Sequence, residues 1–140
     1  MDLNYFKRTR ILDGGMGQEL LAKGLISKGT LWSTSALLDD KFHQLLIDVH
    51  RSFINAGADV IVTNNFSSRK VRLIENKVED KFEYVNKKAC ELANKAREIS
   101  KENILVAGSL PPQNGTYVID ERNINTIKKD FKEQAEIIKP

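Results

Sequence analysis

Apolar residues recur along this chain with the spacing of amphipathic helices. The clearest segment is Asp39–Ala56, where they follow an i, i+3, i+4, i+7 pattern. The same spacing predicts helices over Asp80–Ser100 and Asn123–Ile138, and shorter ones over Met16–Lys23 and Val71–Glu75. The apolar positions are Phe42, Leu45, Leu46, Val49 and Phe53 in the first long helix, and Ile124, Ile127, Phe131, Ala135 and Ile138 in the last.

Short apolar runs between the helices predict three strands. Ala58–Thr63 has the β-branched centre Val60–Ile61–Val62, which suits a strand buried on both faces. Ile104–Ala107 is a similar run, and Thr9–Asp13 is a run that ends in a glycine pair. Strands and helices therefore alternate along the chain.

This alternation predicts an α/β domain with a parallel sheet and helices packed outside it. The 140 residues are enough for one domain, and we place it over residues 1–140. Three strands cannot close a barrel, because a (β/α)8 barrel has eight strands and typically needs ~250 residues.

The charge pattern argues against a nucleic-acid partner, and the length of the apolar runs argues against a membrane. The net charge is +3, but Lys and Glu alternate, as over residues 77–81, and no basic stripe is interleaved with aromatic residues. We expect solvated helix faces and no nucleic-acid binding. No apolar run approaches the ~20 residues of a membrane span, so we expect no membrane contact. A single cysteine excludes an intrachain disulfide and is consistent with a cytoplasmic location.

Three segments follow the predicted strands, where parallel sheets bind ligands. Asp13 could present its carboxylate to an ammonium group, and Gly14 and Gly15 could bring backbone amides to a carboxylate. A free amino acid carries both groups. The alternative is an Asp-Gly turn without a ligand.

The other two segments leave similar choices open. Asn64 and Asn65 could bind a substrate or only form hydrogen bonds with the loop backbone. Ser109 could add a hydroxyl and an amide at the same end of the sheet. The pair Pro111–Pro112 is expected to stiffen the loop after the third strand.

No residue pattern predicts a metal site in this chain. His43 and His50 lie seven residues apart on one helix, which is not the spacing of a helical metal motif. Cys90 lies within a helix, where we expect a buried, inert thiol. We also expect no catalytic residue among these 140.

Four segments in order resemble the homocysteine S-methyltransferase family. They are Ile11–Leu20, Leu31–Trp32–Ser33, Ala56–Asn64 (preceded by His50 and Phe53) and Val106–Pro112. Two departures, Asn65 where many members have Thr and Pro111 in place of the commoner Gly, leave the methyl donor open. It could be S-methylmethionine, betaine or methylcobalamin.

The resemblance implies a (β/α)8 TIM barrel, of which this chain supplies about the first three βα units. It implies a truncated, N-terminal part of a homocysteine-binding barrel domain, and methyl transfer to the homocysteine thiol to give methionine. Asp13 would hold the amino group of homocysteine. Zinc would ionise the thiol, because a metal-bound thiol is deprotonated outright. The family's three zinc-binding cysteines have no counterpart here, so we expect the isolated chain to be inactive.

A second hypothesis is a non-catalytic half-barrel that binds an amino acid or a partner subunit. Three strands leave an open parallel edge and uncovered apolar faces, which favour self-association.

Overall fold

The structure, a computed structural model, describes residues 3–101 and 103–139 and has an α/β architecture. All five predicted helices are present, with 3-10 turns before several of them. The helices are α1 (Met16–Ala22), α2 (Ser35–Leu38), α3 (His43–Asn55), α4 (Lys70–Glu75), α5 (Phe82–Ser100) and α6 (Ile124–Ile138); the strands are β1 (Val60–Val62) and β2 (Leu105–Ala107). None of the described helices has the length and apolar character needed to cross a bilayer.

Strands β1 and β2 form a parallel pair, with Val60 opposite Leu105 and Val62 opposite Ala107. The predicted strand Thr9–Asp13 is wrong in extent, because only Leu12 forms a bridge, parallel to Val60. The backbone N–H of the residue before it, Ile11, is taken by the Asp59 carboxylate at 2.9 Å instead of a strand partner.

The predicted helix Asp39–Ala56 is observed as a 3-10 turn over Asp40–Phe42 followed by α3, so the α-helix begins four residues later than predicted and ends close to the predicted end. The side chain of Asp39 accepts a hydrogen bond from the Lys41 amide (3.3 Å) at the turn before α3. Gly57 ends the helix with φ +99°, and its amide donates to the carbonyl of Ile54 at 2.9 Å.

The main core lies between α1, α3 and α5, as the periodicity predicts. Leu46 and Val49 of the predicted stripe are fully buried, and the other three members are partly buried against them. A second cluster closes the helix-facing side of the sheet and consists of Ile54, Ala58, Ile61, Ala93 and Ile104. Together the two clusters fix the sheet against α3 and α5, so the carboxyl ends of the strands have a rigid base.

Helix α6 departs from the predicted pattern. Its predicted apolar stripe is only partly covered, and Ile124 is 59% exposed. The one fully buried residue of this helix is the polar Gln134. The physical reason is that, among the described elements, α6 packs mainly on α5, which leaves the beginning of its apolar face uncovered.

At the amino end of β1, Tyr5, Arg10 and Asp59 contact one another. The guanidinium of Arg10 lies 3.8 Å over the ring of Tyr5 and 3.4 Å from the Asp59 carboxylate. The Tyr5 hydroxyl donates to the carbonyl of Asp59 at 3.1 Å. This end of the sheet is occupied by structural contacts, which leaves the carboxyl end for a ligand.

Candidate functional site: a cleft at the carboxyl ends of the strands

A cleft of about 270 Å³ lies where the sequence predicts a ligand, at the carboxyl ends of the strands. Four of the five predicted site residues line it: Asp13, Gly14, Gly15 and Ser109. Its volume lies near the lower end of the range for small-molecule sites. Its remaining lining consists of Met16, Gly17, Gln18, Trp32, Ser33, Val62, Thr63, Asn64, Phe66 and Ser67.

Asp13 presents a half-buried carboxylate to this cleft. One carboxylate oxygen accepts a hydrogen bond from the amide of Val62 at 2.8 Å, which fixes its direction. No cationic side chain among the described residues forms an ion pair with it. Burial raises the pKa of Asp13, and the bond from Val62 only partly opposes that rise. A bound ammonium group would supply the missing opposite charge and lower the pKa again.

The glycine pair after Asp13 allows close packing against α3 and presents two backbone N–H groups. A Cβ on Gly14 would lie 2.9 Å from the Phe53 ring, so α3 leaves room only for glycine there. The N–H groups of Gly14 and Gly15 donate to no other atom in the described part of the chain. Two unpaired donors beside a carboxylate can take the opposite end of a zwitterion.

The two asparagines after β1 are placed differently. Asn64 lines the cleft, and its amide nitrogen donates to the carbonyl of Ser33 at 2.9 Å. Asn65 is fully buried and is not among the cleft-lining residues. Its oxygen accepts from the hydroxyl of Thr63 at 2.6 Å, and its nitrogen donates to the carbonyl of Ser109 at 3.0 Å. A substrate contact by Asn65 remains a prediction; its observed bonds join the ends of β1 and β2.

A chain of buried amides continues from Asn65 into the helices. The Asn86 oxygen on α5 accepts from the nitrogens of Asn65 and Gln134, both at 2.9 Å. The Asn86 nitrogen donates to the carbonyls of Ser68 and Phe82. Gln134 accepts in turn from Gln113 at 2.7 Å. These bonds satisfy polar groups in the interior and hold the cleft-bearing loop against α5 and α6.

Arg69 ties together the loops that follow the two strands. Its side chain is 1% exposed and donates to the carbonyl of Asn114 at 2.9 Å and the hydroxyl of Thr116 at 3.2 Å. A longer bond of 3.4 Å reaches the carbonyl of Phe66. The guanidinium therefore crosses from the first loop to the second. The sequence offered no signal for this role, since a lone Arg in a polar turn has no characteristic spacing.

Trp32, from the segment Leu31–Trp32–Ser33, also lines the cleft. Its indole is 45% exposed, and a Cβ on Gly17 would lie 3.2 Å from the indole nitrogen. Its backbone has φ +48°, a region that bulky residues rarely occupy. An exposed aromatic ring held by a strained backbone at a cleft edge is typical of a ligand contact.

The histidines and the cysteine lie apart from one another and from the cleft. His50 is fully buried on α3, where burial lowers its pKa to about 4. The Nε2 of His43 lies 3.1 Å from the carbonyl of Leu37, and burial raises the pKa of the Cys90 thiol. Within residues 3–101 and 103–139, no three His, Cys, Asp or Glu side chains are grouped to hold a metal ion. The donors in this part of the chain therefore do not fit a zinc ion.

Comparison with known sequences gives one consistent family. The homocysteine S-methyltransferase family model matches residues 10–140. A homocysteine S-methyltransferase from Escherichia coli K12 is 32% identical over 117 residues, which cover 79% of this chain and 37% of that protein. An S-methylmethionine–homocysteine S-methyltransferase from Pongo abelii is 34% identical over 128 residues, which cover 89% of this chain and 31% of that protein. The chain spans about a third of the length of these relatives.

Solved structures show the same fold relationship. The metallated form of the E. coli homocysteine methyltransferase MmuM superposes with a TM-score of 0.78 at 23% identity, over 97% of this chain and 52% of that one. Its oxidized form gives a TM-score of 0.80 at 24% identity, over 97% and 51%. The described α/β architecture therefore corresponds to about half of that enzyme's fold.

Proposed function

Since the chain belongs to the homocysteine S-methyltransferase family, we propose that it forms the N-terminal part of a homocysteine-binding (β/α)8 barrel domain and carries part of the substrate site. The observation that carries this proposal is the half-buried carboxylate of Asp13, which has no cationic partner in the described chain and lies beside the free amides of Gly14 and Gly15. The amino and carboxylate groups of homocysteine match these two features.

In this proposal each group has its own role. Asp13 takes the ammonium group, because its carboxylate is already aimed by the Val62 amide. The free N–H groups of the glycine pair take the carboxylate, and Ser109 lines the same cleft. The reaction is transfer of a methyl group to the homocysteine thiol, giving methionine. Bound zinc ionises such a thiol in this family; no ligand set for it is found in the described residues, so we assign no catalytic step to them.

Joining these 140 residues to the part of the E. coli homocysteine S-methyltransferase that lies beyond the matched region tests the function. The joined protein should form methionine from homocysteine with S-methylmethionine, betaine or methylcobalamin as donor. Asp13→Asn should raise the KM for homocysteine about ten- to a hundredfold, because a charge-assisted contact contributes roughly 1.5–3 kcal/mol.

Asp48→Asn, on the exposed face of α3, is the matched control and should leave KM unchanged. A soluble joined protein that makes no methionine from any donor would contradict the proposed reaction. An unchanged KM in Asp13→Asn would contradict the assignment of Asp13 alone.

A second candidate, a non-catalytic half-barrel that pairs with a partner or with itself, is supported by the first strand segment. Ile11 and Leu12 lie next to β1, yet they are 59% and 61% exposed. We expect sedimentation velocity to show concentration-dependent association of the 140-residue chain. Leu12→Lys should reduce it, whereas Ile26→Lys, at a 73% exposed loop position, should not. A monomer at every concentration would count against this candidate.

A further inference from the structure

Asn114–Gly115 lies in the loop between β2 and α6 and is the only Asn-Gly pair in the sequence. Neither residue belongs to a helix or strand, and both are partly exposed. The side-chain amide of Asn114 and the N–H of Gly115 form no hydrogen bond with any other described residue. Both groups are therefore free to react with each other, and glycine puts no side chain in the way.

We propose that Asn114 is a site of spontaneous deamidation and isoaspartate formation, and that Arg69 binds the carboxylate that this reaction creates. The Gly115 nitrogen attacks the side-chain carbonyl carbon of Asn114. A nitrogen–carbon bond forms, the bond to the amide nitrogen breaks, and ammonia leaves with the proton from Gly115. The product is a cyclic imide. Water then opens the ring, so the overall change is one amide and one water to one carboxylate and one ammonium ion.

The direction of ring opening decides which oxygen becomes charged. Opening at the former backbone carbonyl of Asn114 gives isoaspartate, in which the main chain continues through the side-chain carbon. The former backbone carbonyl is then a free carboxylate. In the unmodified protein this carbonyl oxygen accepts from the Nε of Arg69 at 2.9 Å. A hydrogen bond from the Arg69 cation to a neutral carbonyl would therefore become an ion pair at the same contact.

Arg69 is suited to this role because no carboxylate of the described chain forms an ion pair with it, and Glu75 acts on its charge only at longer range. Arg69 is 1% exposed, and the three hydrogen-bond partners of its guanidinium are neutral groups of Asn114, Phe66 and Thr116. A buried cation is costly without an opposite charge. A new carboxylate at Asn114 supplies that charge, so the loop stays attached to Arg69 after the modification.

The other asparagines of the chain serve as internal controls. Asn65 and Asn86 are fully buried, their amides are hydrogen-bonded, and a bulkier residue follows each. Asn76 and Asn94 are partly exposed, as Asn114 is, but their side-chain nitrogens are bonded to backbone carbonyls. None of the four combines a free amide with a following glycine.

Incubation of the 140-residue chain at mildly alkaline pH, followed by peptide mass mapping over time, tests the proposal. We expect Asn114 to convert several-fold faster than any other asparagine, with isoaspartate as the main product. Asn114→Gln should abolish conversion in this peptide, because the longer side chain disfavours the five-membered ring.

As conversion proceeds, the NMR signal of the Arg69 Nε–H should shift and its hydrogen exchange should slow. An Asn114 that stays as intact as the control asparagines would overturn the modification site. Conversion with an unchanged Arg69 signal, or to aspartate alone, would overturn the binding by Arg69.

Discussion

Asn86→Leu should lower the free energy of unfolding of this chain by about 3 kcal/mol, because it leaves buried donors without partners. The nitrogen of Gln134 bonds only to the Asn86 oxygen, and the Asn65 nitrogen loses one of its two acceptors. Leucine has the same branching and number of heavy atoms as asparagine and favours helix more. The loss would therefore come from the polar network. Urea unfolding followed by circular dichroism measures it.

Asn94→Leu is the matched control, since it lies on the same helix and its side chain bonds only to the Cys90 carbonyl one turn away. We expect this variant to change stability by less than about 1 kcal/mol. Equal losses in the two variants would mean that the amide network contributes nothing beyond an ordinary helix contact. Hydrogen exchange of the amides from Val62 to Ser68 should quicken in Asn86→Leu alone, because this loop bears the cleft.

Acidification should destabilise the chain through His50. Its pKa is lowered from 6.5 to about 4 by burial, and neither ring nitrogen has a hydrogen-bond partner within the described residues. The unfolded chain therefore takes up a proton that the folded chain excludes. This contribution to stability is complete above pH 6.5 and is lost as the pH falls towards 4. At roughly 1.4 kcal/mol per pKa unit, the full loss is about 3 kcal/mol.

His50→Leu should flatten this pH dependence. It removes two unpaired nitrogens from the interior as well as the proton uptake, so the variant should be more stable than the parent at pH 5. Unfolding free energies of both proteins between pH 4 and pH 8 give the comparison, and His43→Asn, which removes the other histidine, is the control. Parallel curves for the parent and His50→Leu would show that His50 is not the cause.

The helices could be predicted from the sequence because their evidence is local. The spacing of Leu46 and Val49 requires only that one face of a helix be buried, and Gly57 can adopt the positive φ that ends it. The family could also be recognised, since short segments around Asp13, Asn64 and Ser109 occur in a fixed order. Family membership is now established by a match over residues 10–140.

The site could be predicted only in outline. That Asp13, Gly14, Gly15 and Ser109 share one cleft follows from their positions after parallel strands, because such strand ends meet at one edge. The different positions of Asn64 and Asn65 could not be predicted. Neighbouring residues in a loop have no fixed period, so the sequence does not say which of them faces the cleft.

Local pattern thus determined the helices, the α/β order and the strand-end location of the cleft. The tertiary structure alone decided where polar groups are buried. Gln134 faces inward on α6 because Asn86 and Gln113 offer it partners, and those residues lie 48 and 21 positions away in the chain. Arg69 is buried because two loops, 45 residues apart, bring carbonyl oxygens to its guanidinium. A buried polar side chain is stable only where distant groups satisfy it, and no local periodicity records their approach.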